Sequence, residues 1–287
     1  MLSEESLELI VQDHLAELEW QAGHGPDFAP GSGERDTWND IVLRGRLRNA
    51  VRNLNQDVPE EYLDQAIGEV ITPKSQSAIA ENRRIHQILV EGYRGIEYID
   101  YEGNVQNPTI YFLSSQPHRN DYLSLNQVTV ANLDGERRFD VVCYVNGMPL
   151  AFIELKKTGA NTSVEGAHNQ LQTYVKEFGM AFRFANIVIP SDDLSAKYGT
   201  PFTPWNHFAP WNVDEDGSPV DPNNMVVAGE PVTQLDLLLD GLFNVERFGQ
   251  LYSDFTAFDD TAEGLVMRIA KPHQYFAVTK AVGSTIT

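Results

Sequence analysis

Asn146-Gly147 sits between two apolar runs, Phe139 to Val145 and Leu150 to Leu155, and this pattern restricts the fold more than any other stretch of the chain. Both turn residues tolerate positive φ, which a two-residue hairpin turn requires, so the segment predicts two antiparallel strands joined by a tight turn. Charge interrupts the apolar pattern at Asp140 in one strand and at Glu154 and Lys156 at the end of the other. A regular two-residue hairpin pairs Val145 with Met148 and sets Asp140 opposite Ile153, leaving Glu154 on the other side of the sheet. Glu154 and Lys156 share a face in any register. For Asp140 to join them the hairpin needs one extra residue, from a three-residue loop or a bulge, and bulges are common beside active sites because they re-aim side chains. The expectation is therefore a bulge or irregular pairing between Phe139 and Glu154. A regular ladder would count against a shared site.

Two carboxylates and a lysine at one sheet edge are what Mg²⁺-dependent phosphodiester hydrolysis uses. In that reading Asp140 and Glu154 ligate the ion and the backbone carbonyl of Leu155 is a third ligand. Lys156 orients or helps deprotonate the attacking water, or balances charge on the phosphate. The bland alternative is a charged strand end at the rim of a sheet. Gln170 and Tyr174 stand four apart on one face of a following helix, where an amide and a phenol could position the lysine or a phosphate. His168 beside them reads as a solvated helix position.

The chain around this segment divides by period. Glu4 to Trp20 carries Leu7, Ile10, Val11, Leu15 and Leu18 at helical spacing. Residues 23–36 are rich in Gly and Pro and read as a loop. Helices are predicted over Asp36–Leu54, Pro59–Ile71 and Ser75–Tyr93, with Pro59 near the first turn of its helix. Strand signals then cover Ile96 to Tyr101, Thr109 to Leu113 and Tyr122 to Val130 before the hairpin. A helix over Val164–Phe178 and a strand over Asn186–Pro190 follow. Thr200 to Gly229 reads as a long loop whose aromatics, Trp205, Phe208 and Trp211, pack it down, since no basic residue interleaves them as in a base-stacking surface. Pro231 to Phe255 reads as two helices broken near Gly241–Asn244. The fold class expected is α/β, a mixed sheet flanked by helices.

A net charge of −20 argues against a general nucleic-acid binder, because phosphate contact supplies most non-specific affinity. Three explanations stay open: local basic clusters at Arg44, Arg46, Arg48 and Arg52 or at Arg83 and Arg84, DNA gripping by partner modules, or an acid-rich proteome. The single cysteine, Cys143, excludes a disulfide framework and reads as a buried thiol. The acidic N-terminus lacks the n- and h-regions of a signal peptide, and no 18-residue apolar run occurs, so a soluble cytoplasmic protein is expected.

The segment RFDVVCYVNGMPLAFIELKK followed by QLQTY resembles the PD-(D/E)xK nuclease core with its Gln-x-x-x-Tyr extension. More closely, NGMPLAFIELK, NLNQDVPEEYLDQAI, HQILVEGY, LSLNQVTV and IVIPSDD resemble the N-terminal region of the restriction (R) subunit of type I restriction–modification enzymes, over nearly the whole chain. Phe139-Asp140 stands where the family has Pro-Asp. The resemblance implies a restriction-endonuclease-like domain over residues 1–230 with a helical insertion at about 36–93. Residues 231–287 would form a helical linker and the start of a superfamily 2 helicase motor. It further implies Asp140 and Glu154 as Mg²⁺ ligands, Lys156 as the catalytic lysine, and Gln170 and Tyr174 as support. A glutamate from the first helix would be Glu8, with Glu5 behind it. Met267 to Val282 resembles the adenine-recognising segment of such motors, which gives Gln274 an adenine contact in the full-length subunit only. No G-x-x-x-x-G-K-[ST] follows, so ATP binding is not expected here and the chain is expected to be a piece stopping before the motor. The implied function is Mg²⁺-dependent, non-specific cleavage of double-stranded DNA, with methyltransferase (M) and specificity (S) subunits as partners. The alternatives are the nuclease domain of a stand-alone helicase–nuclease and a catalytically silent coupling module.

Overall fold

The computed structural model describes residues 3–286 except 134, 158–162, 193 and 228–229. The first helix, α1 (Glu4–Glu17), opens on Ser3, whose side chain accepts from the Ser6 N–H, as an N-cap should. It buries Leu7, Val11 and Leu15 together with Glu8 and Gln12. Ile10, assigned to the same stripe from its spacing, is instead 45% exposed. Strand β1 (Gln21–His24) follows within the Gly-rich stretch that reads as a loop. Helices α2 (Arg44–Leu54), α3 (Glu60–Ile71) and α4 (Ala78–Glu91) come next. Residues 36–43, expected in the first of these, precede it as turns, and Leu43 is buried where its N–H donates to the Gly147 carbonyl in the turn of the central hairpin. A two-residue ladder joins β2 (Tyr98–Ile99) and β3 (Val105–Gln106). Thr109–Leu113 is not a strand. Ile110 makes an isolated bridge to Tyr93, and Ile110 and Phe112 are buried, so alternation there reports packing of a loop rather than pairing.

The central sheet contains β1, β4 (Tyr122–Asn132), β5 (Gly135–Val145), β6 (Met148–Leu155) and β7 (Ile187–Ser191), in the order β1-β4-β5-β6-β7. The outer pairs, β1 with β4 and β6 with β7, are parallel; the inner pairs are antiparallel. Helix α5 (Val164–Glu177) makes the crossover from β6 to β7, as a parallel pair requires. This is a mixed α/β architecture with a five-stranded mixed sheet flanked by helices, in keeping with a restriction-endonuclease-like fold. The hairpin turn is as expected: Asn146 has φ +52° and Gly147 φ +76°. A Cβ on Gly147 would lie 2.4 Å from the Leu43 carbonyl oxygen, so only glycine fits. The middle of the sheet is dry, with Val141, Val142, Cys143 and Tyr144 all at 0% exposure.

Beyond β7, Phe208 and Trp211 are buried and Trp205 is half-buried, so the aromatics of the long loop do pack it down. A two-residue ladder, β8 (Val226–Val227) with β9 (Glu230–Pro231), precedes α6 (Gln234–Phe243) and α7 (Val245–Ser253). Asn244 breaks the two helices, close to where the sequence places the interruption. Residues 256–269, expected in a helical linker, instead form the hairpin β10 (Thr256–Thr261) and β11 (Gly264–Ile269) ahead of α8 (Pro272–Ile286). Helices α6 and α7 share the core beside the central sheet: Trp20 packs edge-on against Tyr122, Phe243 and Phe248, and its Nε1 donates to the Phe243 carbonyl at 2.8 Å. Among the described residues no helix is long and apolar enough to cross a membrane.

Candidate active site

The extra residue that the hairpin needs is present. Cys143 pairs with Ala151 but Tyr144 pairs with Pro149, so Leu150 is the bulged residue and the register shifts by one. The ladder then runs to Val141↔Ile153 and stops, while Glu154 and Leu155 stay paired with β7. Continued one step, this register places Asp140 level with Glu154. Asp140 fills the end of the ladder itself: its Oδ2 accepts the Leu155 backbone N–H at 2.8 Å. Lys156 Nζ donates to Glu154 Oε1 at 2.7 Å and lies 3.4 Å from the Leu155 carbonyl oxygen. The structure thus brings Asp140, Glu154, Lys156 and the Leu155 backbone into one connected group.

Its electrostatics are those of crowded acids. Glu154 is 1% exposed. Burial, and then the charge of Asp140, push its carboxyl up to about 8 against the pull of Lys156. Burial also raises Asp140 against the Leu155 N–H and Lys156. On Lys156, burial works downward but is outweighed by Glu154 and Asp140, and the ammonium is held above its ordinary value. Glu8 arrives from α1, 2% exposed and raised by burial and by the charge of Asp140. Glu5 is exposed, and Glu4 is the α1 residue whose charge is felt at Asp140, Glu154 and Lys156. Asp140 thus presses on both Glu154 and Glu8, with Lys156 offsetting the first and Arg138 the second, and a divalent ion between Asp140 and Glu154 would relieve that pair.

Gln170 and Tyr174 also meet, the amide donating to the phenol oxygen. Tyr174 is buried, its ring edge-on to Phe139, and its hydroxyl is raised by burial and by the charge of Glu154. His168 is not solvated: it is 5% exposed against Trp205 and Phe208, and burial lowers its pKa. Gln274 stands apart from this group, exposed in the first turn of α8, where its side-chain oxygen accepts the Lys271 N–H at 2.8 Å. That is a helix-capping contact.

The donor set is all oxygen. Among the described residues nowhere do three or more His, Cys, Asp or Glu side chains gather at metal-holding spacing. What the site offers is two carboxylates and a backbone carbonyl, which fits an ion such as Mg²⁺ that keeps several waters. Each arginine of the basic clusters has an acidic partner. Arg44 pairs with Asp36 and Asp40, Arg46 with Asp121, Arg48 with Asp64, Arg52 with Glu60, Arg83 with Asp260 and Arg84 with Glu81.

Residues 1–207 match the family described as type I restriction enzyme R protein N terminus. The putative type I restriction enzyme MjaIXP endonuclease subunit of Methanocaldococcus jannaschii is 27% identical over 286 residues, which is 95% of this chain and 27% of that protein. The HindI endonuclease subunit of Haemophilus influenzae is 29% identical over 293 aligned residues, 100% of this chain and 27% of that protein. The EcoprrI endonuclease subunit of Escherichia coli is 26% identical over 166 residues, 56% of this chain and 50% of that protein. The chain spans about a quarter of the length of the first two relatives.

Proposed function

The chain belongs to the family of type I restriction enzyme R protein N termini, and on that premise we propose that it is the nuclease part of an R subunit, hydrolysing phosphodiester bonds of double-stranded DNA with Mg²⁺. The observation that carries this reading is the Leu150 bulge, which sets Asp140 and Glu154 level and lets Leu155 and Lys156 tie them together. A bulge costs ladder pairing, and its product here is a shared polar site inside an otherwise apolar hairpin.

Asp140, Glu154 and the Leu155 carbonyl would hold the ion. When bound, Mg²⁺ supplies a water of lowered pKa and offsets charge building on the phosphate. Lys156, 2.7 Å from Glu154, would orient the attacking water and offset charge on a phosphate oxygen. The Leu155 N–H fixes one oxygen of Asp140, so the other is left to face the ion. Tyr174, whose hydroxyl feels the charge of Glu154 and Asp140, and Gln170 bonded to it would support the site from α5.

Sequence choice would belong to a specificity subunit, modification to a methyltransferase subunit, and ATP-driven translocation to motor domains in the longer protein, where Gln274 would meet adenine. The pairing of its basic clusters with acids, together with the charge of −20, agrees with DNA being held mainly by those other parts in a cytoplasmic complex.

Calorimetric titration of this chain with Mn²⁺ or Mg²⁺ tests the proposal. One site per chain is expected, weakened by about 10-fold or more in Asp140→Ala and Glu154→Gln, because each substitution removes a direct ligand. Equal binding by wild type and both variants would refute the assignment of these ligands.

A further inference from the structure

Glu8 is reached by a hydrogen-bond line from outside the nuclease motif. Asn126, 3% exposed on β4, donates from Nδ2 to Glu8 Oε2 at 3.3 Å. On its other side, the Asn126 Oδ1 lies 2.8 Å from Nδ1 of His24, an exposed residue of β1. His24 and Asn126 are register partners in the parallel β1–β4 ladder, so the contact is set by strand pairing rather than by a chance rotamer.

The surroundings hold this line in place. Gln127, next along β4, has φ +52°, a conformation that a non-glycine residue occupies only under constraint. Its side chain helps offset the upward pull of burial on the Glu8 carboxyl. The backbone of Gly25 lies so close that a Cβ there would stand 2.5 Å from the Asn126 carbonyl oxygen and 2.6 Å from that of Gln127. One turn further along α1, Gln12 donates to the Gly23 and Ser124 carbonyls at 2.8 and 3.0 Å, which ties the helix bearing Glu8 to both strands.

We infer that His24 and Asn126 are positioning residues for Glu8: the imidazole donates from Nδ1 to the Asn126 amide oxygen, the amide donates from Nδ2 to the Glu8 carboxylate, and Glu8 is thereby held against the Asp140 side of the site. Chemistry fixes the direction. An ionised carboxylate only accepts, so Asn126 must turn its NH₂ toward Glu8 and its oxygen toward His24, and the imidazole must then be the donor. The buried carboxylate thus sets which way the amide points, and the exposed imidazole on the edge strand holds it there. Short β1, placed in a Gly-rich stretch, acquires a reason to exist.

This inference rests on the proposed nuclease reading, and its test separates the two. In the complete restriction complex, His24→Ala should lower DNA cutting by about 10-fold and raise the Mg²⁺ concentration needed for half-maximal cutting, as loss of an outer partner of a metal site does. His24→Asn, whose amide nitrogen can stand in for Nδ1, should recover most of that loss. By ¹⁵N NMR on this chain, His24 should carry its proton on Nδ1 in wild type and lose that preference in Asn126→Ala. Cutting by His24→Ala at the wild-type rate, or an Nε2–H tautomer in wild type, would overturn the line while leaving the nuclease reading intact. Full cutting by Asp140→Ala would overturn the nuclease reading instead.

Discussion

Lys156 Nζ stands 2.7 Å from Oε1 of Glu154, a carboxyl that is 1% exposed at the end of a strand buried on both faces. The lysine offsets only part of what burial and Asp140 do to it.

A pH dependence follows from Glu154. Its folded pKa of about 8 lies above its ordinary value of 4.5. The stability it contributes is therefore fully present below about pH 4.5 and is lost as pH rises through about 8, as the buried acid is forced to ionise. The loss should be on the order of 5 kcal/mol between those limits. Urea unfolding at a series of pH values, with divalent ions removed, should show wild type losing stability across this window while Glu154→Gln stays flatter. Parallel curves would contradict the electrostatic reading.

His14 titrates in the same sense for a different reason. Burial alone would lower it, but Asp236 and Asp240 on α6 outweigh that and raise it to about 9 from 6.5. Nε2 lies 2.7 Å from Asp240 Oδ1 and Nδ1 lies 3.6 Å from Asp236 Oδ1. This contribution is complete below about pH 6.5 and disappears as pH rises through about 9. The Asp240 side chain is 50% exposed and solvent screens the pair, so about 1–2 kcal/mol is the expected size. The stability deficit of His14→Gln relative to wild type should be largest near pH 6 and vanish by about pH 10. A deficit that grows with pH would contradict it.

The turn offers a third test, because its two residues do different things. Gly147→Ala puts a Cβ 2.4 Å from the Leu43 oxygen at a positive φ and should cost about 2–4 kcal/mol in chemical denaturation. Asn146→Gly suits the turn's backbone, yet it removes a buried side chain that donates to the Phe112 carbonyl at 2.9 Å and accepts from the Asp121 N–H at 2.7 Å. It should therefore destabilise as well, by about 1–3 kcal/mol. A stabilising Asn146→Gly would mean that turn propensity outweighs those bonds.

How much of this was readable from the residues depends on the range of the interaction that decides each feature. Asn146-Gly147 acts locally, so the hairpin was visible, and arithmetic on its register demanded one extra residue. That the extra residue is Leu150 was not visible, since nothing local distinguishes it from its apolar neighbours. Strand β1 was missed because four residues beside Gly23 and Gly25 have no alternating pattern, and their parallel partner lies about a hundred positions away. Thr109–Leu113 alternates like a strand but its apolar side chains fill a core from a loop. The hairpin Thr256–Ile269 lies between the helices read to Phe255 and the segment matched from Met267 and drew no strand reading, because its weak alternation reflects an exposed ladder. The arginine clusters were plain in the sequence, whereas Asp121 opposite Arg46 and Asp260 opposite Arg83 come from remote segments. Glu8 was legible only through family resemblance; Asn126 and His24, which hold it, carry no local signal.

The central claim is that Asp140, Glu154 and Lys156 act together on DNA and on nothing else the complex does. The decisive measurement is plasmid cutting beside ATP hydrolysis in the complete restriction complex whose R subunit carries Asp140→Ala or Lys156→Ala. The account predicts cutting reduced by about 10³-fold or more, because residues acting as one catalytic unit fail together, with ATP hydrolysis at the wild-type rate. Cutting that persists in either variant, or ATP hydrolysis lost along with cutting, would contradict it.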